Sequence, residues 1–459
     1  MHDRNNSLGT SAPLRYATFG ALYLAQGIPQ GLQLFAIPAW MAMQGVDAAL
    51  VGGYIGICSL PWTFKIVAGP LMDRYSYLAM GRRRPWLLGA QLGLLTMMLL
   101  MAFVPDPLNH MGLFMSVSFV LNCFGAFQDV ATDGLAVDIT PVEQQARANG
   151  VMWGAKVVGV SLALLSGTWA INSYGFRIAV IGLSVVMVLL LILPSVLRER
   201  QGERLFPWSK GEASPEALGS KAETWGEILF TLKSAFLLRG SLLGALCIFL
   251  NGTAMGLKDA MMPVFTVQRL AWTNSEYADL TSGANVTAAV CAMVFAGWLA
   301  DRVGKTRIIG IYTVLIALGW TTLALTPRLW ATAGYFTASI YAIQFLETFC
   351  IVAVLATAMN LCWTRVAATQ FTLYMVCNNL GIVVAASLLG PLRGQLGWSA
   401  MFLLTAGLLV AVAVLVGFVH LGAHRSVLGR LEAEFNAEQG AAPVPAPVVP
   451  SDLGEGLTP

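Results

Sequence analysis

Long apolar stretches recur along the chain, and each has the length of a membrane span. An α-helix needs about 20 mostly apolar residues to cross the hydrocarbon core of a bilayer. Six stretches of that kind precede a polar gap, and six follow it. The pattern predicts twelve transmembrane helices, over residues 16–39, 48–72, 86–104, 111–136, 149–171, 176–197, 241–265, 277–300, 308–325, 331–361, 371–392 and 399–421.

Polar segments divide the chain into regions. The gap, residues 198–233, mixes charged residues with Gly, Pro and Ser, and residues 1–15 are also polar. Residues 422–459 form a tail that begins as a short amphipathic helix and continues as a Pro- and Ala-rich run, which is typical of disordered segments. We therefore expect an all-α integral membrane protein with two six-helix bundles, residues 16–197 and 234–421, joined by a linker.

Composition and charge agree with a membrane protein. Apolar residues make up 57% of the 459 positions and charged residues 11%, whereas a soluble domain carries about 25% charged residues. The net charge of +3 gives no indication of a nucleic-acid partner. Lys and Arg concentrate in the linker and in the loops after the second and eighth spans, which predicts that both termini and the linker face the cytoplasm.

A short motif is repeated at the same place in each half. GPLMDR, residues 69–74, ends the second span and precedes GRRR, and GWLADRVGKTR, residues 297–307, ends the eighth. The glycine permits close helix contact, and the carboxylate at the helix end can pair with a cation across the interface between the halves. An ordinary basic loop would explain one copy, but two equivalent copies favour a conformational gate. The gate candidates are Gly69, Asp73, Arg74, Arg82, Gly297, Asp301 and Arg302.

The doubled motif and the six-plus-six layout resemble the major facilitator superfamily. That resemblance implies two bundles that rock about a central site. Five further segments look like the AmpG branch of that superfamily, which is related to the acetyl-coenzyme A transporters; they are SLPWTFKIVAGPLMDR, GRRRPWLL, FQDVATDGLAVD, GLKDAMMPVF and ATQFTLY. They run from the second span to the eleventh, so the resemblance covers most of the chain.

The AmpG resemblance also has local departures. Lys156 matches a basic residue of the fifth span, but Ala136 stands where the branch has an arginine. The lysine of the branch's Lys-x-Gly-Asp pattern falls at Gly256, whereas this chain has Lys258 beside Asp259. The resemblance implies import of anhydro-muropeptides, and a siderophore, an acyl-coenzyme A or another amphiphilic solute is the alternative cargo.

Ionisable side chains inside the predicted spans are the main functional candidates. Each costs a few kcal/mol to insert, so such residues face the bundle interior and mark pathways. Lys65 and Lys156 are fixed cations at mid-depth, and we expect them to hold an anionic group of the substrate. A proton that reaches a carboxylate would break an ion pair and change which bundle packing is preferred, although any one of these pairs could be structural. The proton-coupling candidates are Asp129, Asp133, Asp259 and Glu347.

Polar residues within the spans are candidates for lining the pathway. Gln26, Gln30 and Gln33 fall on one face of the first helix. The remaining substrate-binding candidates are Asn122, Trp153, Asn251, Gln344 and Asn378.

The sequence lacks the marks of an enzyme. Its four histidines lie in loops or at helix ends, and HExxH, GxSxG and Walker motifs are absent. We expect a secondary transporter without metal or cofactor, acting as a monomer in the bacterial cytoplasmic (inner) membrane, with a small-molecule substrate and protons as its partners. A transporter-like sensor that moves nothing is the alternative.

Overall fold

The computed structural model describes residues 7–215, 233, 234, 236–363 and 367–438, and this part of the chain folds as helices without a β-strand. The α-helices are α1 (Ala12–Gly31), α2 (Ile37–Met43), α3 (Ala48–Ser59), α4 (Lys65–Arg74), α5 (Arg84–Ala102), α6 (Met111–Ile139), α7 (Val142–Tyr174), α8 (Phe176–Val196), α9 (Arg239–Val264), α10 (Asn274–Val303), α11 (Lys305–Leu325), α12 (Ala333–Leu361), α13 (Ala367–Gln395), α14 (Trp398–Val416) and α15 (Leu421–Glu438). The all-α prediction is confirmed.

Ten helices of the described residues are long and apolar enough to cross a membrane. Two more long helical runs, Ala12–Met43 and α10, lie outside that set of ten but occupy the places predicted for the first and eighth spans. In the first run, Gln26, Gln30 and Gln33 reduce the apolar character. The described chain thus has a long helical run at each of the twelve predicted places.

The first helix of each half carries the same irregularity. Pro29 lies near the end of α1 and Pro263 near the end of α9. Each is followed by one turn of π-helix, Leu32–Ala36 in the first half and Phe265–Arg269 in the second. Proline has no backbone N–H to donate, so one hydrogen bond of the helix is missing and the backbone hydrogen bonds around it are rearranged. The internal repeat therefore extends to the local geometry of the helices.

The outward faces of the helices remain apolar. On α8, for example, Ile178, Val185 and Leu189 are all more than half exposed. Water would not stabilise such a surface, whereas lipid chains would cover it without cost. The molecule is therefore a multi-pass membrane protein.

Residues 198–215 of the linker pack against the first half. Glu199 is fully buried, and its carboxylate accepts hydrogen bonds from the backbone N–H groups of Arg82, Arg83 and Arg84, at 3.0 to 3.2 Å. It thereby caps the start of α5. Gly81 precedes this turn with a φ of +100°, and a Cβ there would lie 2.5 Å from the Glu199 carboxylate. The basic GRRR loop therefore has a defined structure, in which Glu199 holds its backbone at the start of α5.

The tail begins with α15, which confirms the short helix predicted there. Leu428 is buried against Trp363, and His424 Nε2 lies 2.9 Å from the carbonyl oxygen of Leu361 at the end of α12. The Pro- and Ala-rich run and residues 216–232 of the linker lie outside the described residues.

Candidate functional site

A cavity of about 1220 Å³ lies between the two halves, lined by helices of both. At one end its walls are buried, as at Ile55, Tyr277 and Ile343. At the other end the lining residues are exposed, as at Val137 and Met359. The cavity therefore opens at the end where α4 ends and α5 begins, which is also the end of the linker.

The opposite end is closed by contacts between the halves. Gln268 Nε2 donates to the backbone carbonyl oxygens of Ala42 at 3.1 Å and Val46 at 2.8 Å. The side-chain amides of Asn172 on α7 and Asn274 on α10 exchange two hydrogen bonds, at 2.8 and 2.9 Å. The structure therefore has one open end and one closed end, as one state of an alternating-access cycle requires.

The first half places a buried ion pair on the cavity wall. Lys65 Nζ lies 2.9 Å from Asp129 Oδ2, and the two side chains are 14% and 6% exposed. Gln26 Nε2 donates to the other oxygen of Asp129 at 2.6 Å. One turn further along α6, Asp133 accepts a hydrogen bond from the hydroxyl of Tyr23. Lys65, Asp129 and Asp133 thus come together, and Lys65 is neutralised by its partner.

Lys156 has a different environment. Its ammonium lies 5.4 Å from the ring centroid of Trp62 and 5.2 Å from that of Trp153. Within the described chain it forms no ion pair, and the faces of these two aromatic rings make cation–π contacts with it. Trp153 is half exposed and lines the cavity beside it. The site therefore offers a cation whose charge has no direct counter-ion.

The second half contains another cluster. Lys258 Nζ lies 2.5 Å from Glu347 Oε2 and 3.3 Å from Asp259 Oδ1. It also donates to Gln344 Oε1 at 3.1 Å. One cation thus faces two carboxylates, which gives this cluster a formal charge of −1.

The predicted polar lining residues occupy three environments. Gln30 and Asn378 line the cavity, and Gln30 Oε1 and Asn378 Oδ1 are buried with no hydrogen-bond partner in the described chain. Gln33 and Asn122 are hydrogen-bonded to each other and lie outside the set of lining residues. Asn251 instead lines a small separate cavity behind Glu347.

The gate candidates lie around the open end as far as they are described. Gly69, Arg74 and Arg82 line the mouth of the cavity, and Arg302 is exposed on the second half. The surroundings of Asp73, Gly297 and Asp301 are not among the described features.

Trp62 is a lining residue of the cavity that the sequence alone did not mark as functional. It lies in a 3₁₀ turn, Leu60–Thr63, between α3 and α4. Its indole N–H donates to Asn122 Oδ1 at 3.1 Å, and its carbonyl oxygen accepts from Asn379 of the second half at 3.1 Å. The sequence signal was its position three residues before Lys65, which places both residues near the same face.

Glycines bring the same pair of helices together in each half. A Cβ on Gly27 of α1 would lie 2.5 Å from the Lys156 carbonyl oxygen on α7. In the second half, a Cβ on Gly252 would lie 2.2 Å from the Asn378 carbonyl oxygen, and one on Gly256 would lie 2.5 Å from Ile382 Cα. The departure at Gly256 therefore has a physical reason, because the backbone of α13 occupies the space that a lysine side chain would need.

We predict that replacing Gly256 with alanine destabilises the second half. The new methyl group would force α9 and α13 apart, at a cost of about 1–3 kcal/mol for overpacking. The unfolding temperature in detergent should fall clearly below that of the wild type. Gly182→Ala is the matched control, because a Cβ at Gly182 would have no atom within 4 Å. Equal unfolding temperatures for the two variants would contradict the close packing.

Comparison with protein families gives one consistent result. The family model for the Major Facilitator Superfamily matches residues 19–386 and residues 244–450, which together span most of the chain.

The chain is also similar to individual transporters. The chain is 23% identical over 413 residues to the anhydromuropeptide permease of Escherichia coli K12, which covers 88% of this chain and 79% of that protein. It is 23% identical over 406 residues to a candidate transporter, AmpG 3, of Rickettsia prowazekii, covering 83% and 90%. A crystal structure of a point mutant of the nucleoside transporter NupG has the same fold, with a TM-score of 0.65 at 14% identity, covering 88% of this chain and 99% of that one. The resemblance to the AmpG branch is confirmed.

Proposed function

The chain belongs to the Major Facilitator Superfamily of transporters, and we propose that it imports an amphiphilic organic anion together with protons. The two bundles would open the cavity alternately to the two sides of the membrane. Anhydro-muropeptide is the first candidate cargo, because a relative of similar length carries that name. A siderophore or an acyl-coenzyme A is the alternative. The protein is not an enzyme, since its relatives are transporters.

Charged side chains of both signs on one cavity wall support this function. Titratable side chains of both signs, among them Lys65, Lys156, Asp129, Asp133, Lys258 and Asp259, line one cavity between the halves, and Glu347 pairs with Lys258 behind it. Buried charges that only fasten helices together do not need to face a cavity of this size. Facing the cavity, they can exchange partners when a proton or an anionic cargo arrives.

We further propose that the open end faces the cytoplasm of a bacterium, across its inner membrane. The arginines at the mouth of the cavity and in the linker follow the positive-inside distribution. Both termini would lie on this side, and one chain contains both halves of the pathway, so that a monomer is sufficient for transport.

Uptake into proteoliposomes tests proton coupling. We expect labelled anhydro-muropeptide to accumulate faster when the outside is more acidic than the inside. Asp129→Asn, Asp133→Asn, Asp259→Asn and Glu347→Gln, made one at a time, should identify the carboxylates whose loss removes this dependence. Unchanged gradient-driven uptake in all four variants would contradict the coupling. Absence of uptake of every cargo by the folded wild type would favour a sensor.

A further inference from the structure

A compact aromatic loop in the linker carries one of the most exposed side chains of the described chain. In residues 204–211, the Ser209 hydroxyl accepts hydrogen bonds from the backbone N–H groups of Leu205 at 2.8 Å and Phe206 at 3.0 Å. These bonds give the loop a defined shape. Its tryptophan, Trp208, is nevertheless 83% exposed. We call residues 204–211 the Trp208 loop.

Arg84 fixes the Trp208 loop to the end of α8. Its guanidinium donates to the carbonyl oxygens of Ser195 on α8 at 2.8 Å and of Leu205 in the loop at 2.5 Å. The Arg84 guanidinium carbon also lies 5.9 Å from the ring centroid of Phe206, and the Trp208 ring stacks on Phe206 with a centroid distance of 5.3 Å. Since Arg84 is itself buried, the fold holds the Trp208 ring near the level at which α8 ends.

The length of α8 places that level at a membrane interface. At 1.5 Å per residue, the 21 residues of α8 span about 30 Å, which is the thickness of the hydrocarbon core of a bilayer. The helix remains apolar and exposed in its last turns, where Ile192 and Val196 are each about half exposed. The Trp208 loop therefore lies at the boundary between the hydrocarbon and the phospholipid headgroups.

The Trp208 loop also lies on the lipid-facing side of the molecule. The helices that hold it, α5 and α8, pack mainly against each other and against other helices of the first half. Within the described chain, no residue of α5 or α8 lines the central cavity. The indole N–H of Trp208 has no hydrogen-bond partner among the described residues, and a lipid carbonyl or phosphate oxygen would supply one.

We propose that the Trp208 loop is an interfacial anchor, which binds the phospholipid headgroup region of the leaflet at the open end of the cavity. The apolar body of the Trp208 ring would lie against the acyl chains next to the headgroups, as indole rings do at membrane interfaces. The anchor would hold the folded part of the linker at the membrane surface, together with Glu199 at the start of α5. This inference depends neither on the cargo nor on proton coupling.

Tryptophan fluorescence in nanodiscs tests the anchor. The emission of Trp208 is the difference between the wild type and Trp208→Phe, and Trp320→Phe is the matched control, because Trp320 is fully buried. Phosphatidylcholine brominated near the headgroup end of its acyl chains quenches from the lipid, and iodide quenches from water. We expect the brominated lipid to quench the Trp208 emission about twofold and iodide to have little effect, while Trp320 is quenched by neither. Quenching of Trp208 by iodide and not by brominated lipid would overturn the inference.

Limited trypsin digestion is a second test that needs no fluorescence difference. Cleavage after the exposed Lys210 is followed by mass spectrometry, in lipid nanodiscs and in a lipid-free amphipathic polymer. We expect the wild type to be cleaved there roughly fivefold more slowly in nanodiscs than in the polymer, whereas Trp208→Ser should be cleaved at the faster rate in both. Trp169→Ser is the control, because Trp169 is exposed on α7 away from the linker, and it should behave like the wild type. Equal protection of Trp208→Ser and the wild type in nanodiscs would contradict the anchor.

Discussion

Replacing Asp129 with asparagine is expected to reduce the initial rate of cargo uptake roughly 100-fold and to lower the free energy of unfolding by about 3 kcal/mol. The reason is that Lys65 would keep its charge on the cavity wall but lose the carboxylate at 2.9 Å. A buried charge without its partner destabilises the folded protein. The unpaired Lys65 would also leave an additional positive charge on the cavity wall. Uptake into proteoliposomes and the unfolding temperature measure the two effects.

The double variant Lys65→Gln/Asp129→Asn separates a structural pair from a functional one. Removing both charges leaves no unpaired ion, so most of the lost stability should return. Transport should stay low, because neither the proton acceptor nor its counter-ion remains. Uptake at the wild-type rate by the double variant would show that the pair only fastens α4 to α6.

Replacing Lys156 with glutamine should lower cargo uptake without lowering the stability of the fold. We expect uptake of an anionic cargo to fall roughly 10- to 100-fold, since a charge-assisted hydrogen bond contributes about 1.5–3 kcal/mol. Stability should be unchanged or slightly higher, because no carboxylate in the described chain loses its ion-pair partner. The same uptake and unfolding measurements apply.

Two controls accompany Lys156→Gln. Lys156→Arg retains the charge and should retain part of the uptake. Lys210→Gln removes an exposed lysine of the linker and should leave both measurements at wild-type values. A strong loss of stability in Lys156→Gln, comparable to that of Asp129→Asn, would show that Lys156 belongs to a structural ion network.

Much of the fold could be predicted from the sequence, because lipid imposes a simple rule on chain length and polarity. Span positions followed from apolar runs, and the two-half architecture followed from the repeated Asp-Arg motif. The same rule identified Lys65, Lys156, Lys258 and the buried carboxylates as unusual. That Asp129 and Asp133 share one helical face followed from their spacing of four residues, and both line the cavity.

Partners across helices could not be predicted, since they depend on how each helix is rotated and how closely it packs. Lys65 and Lys156 looked equivalent as anion receptors, yet only Lys65 has a carboxylate within ion-pair distance in the described chain. Asn251 looked like a residue of the central pathway, but the rotation of α9 directs it to a separate small cavity. Gly256 stands where the AmpG branch has a lysine, and the structure explains the glycine, because the backbone of α13 leaves no room for a side chain there.

Alternating access requires that the end of the cavity closed by Asn172 and Asn274 opens during transport. These residues lie on α7 and α10, one from each half, with their amides 2.8 and 2.9 Å apart. In a background in which the seven native cysteines are replaced by alanine, Asn172→Cys/Asn274→Cys can be joined by a short bifunctional thiol reagent with a reducible disulfide. Asn172→Cys and Asn274→Cys, each alone in the same background, are the matched controls.

The decisive measurement is cargo uptake by the cross-linked double variant in proteoliposomes. We expect uptake to stop when the two halves are joined and to return when the cross-link is reduced, while Asn172→Cys and Asn274→Cys alone transport throughout. Uptake that continues at the uncross-linked rate, with the cross-link verified by mass spectrometry, would contradict alternating access through this cavity.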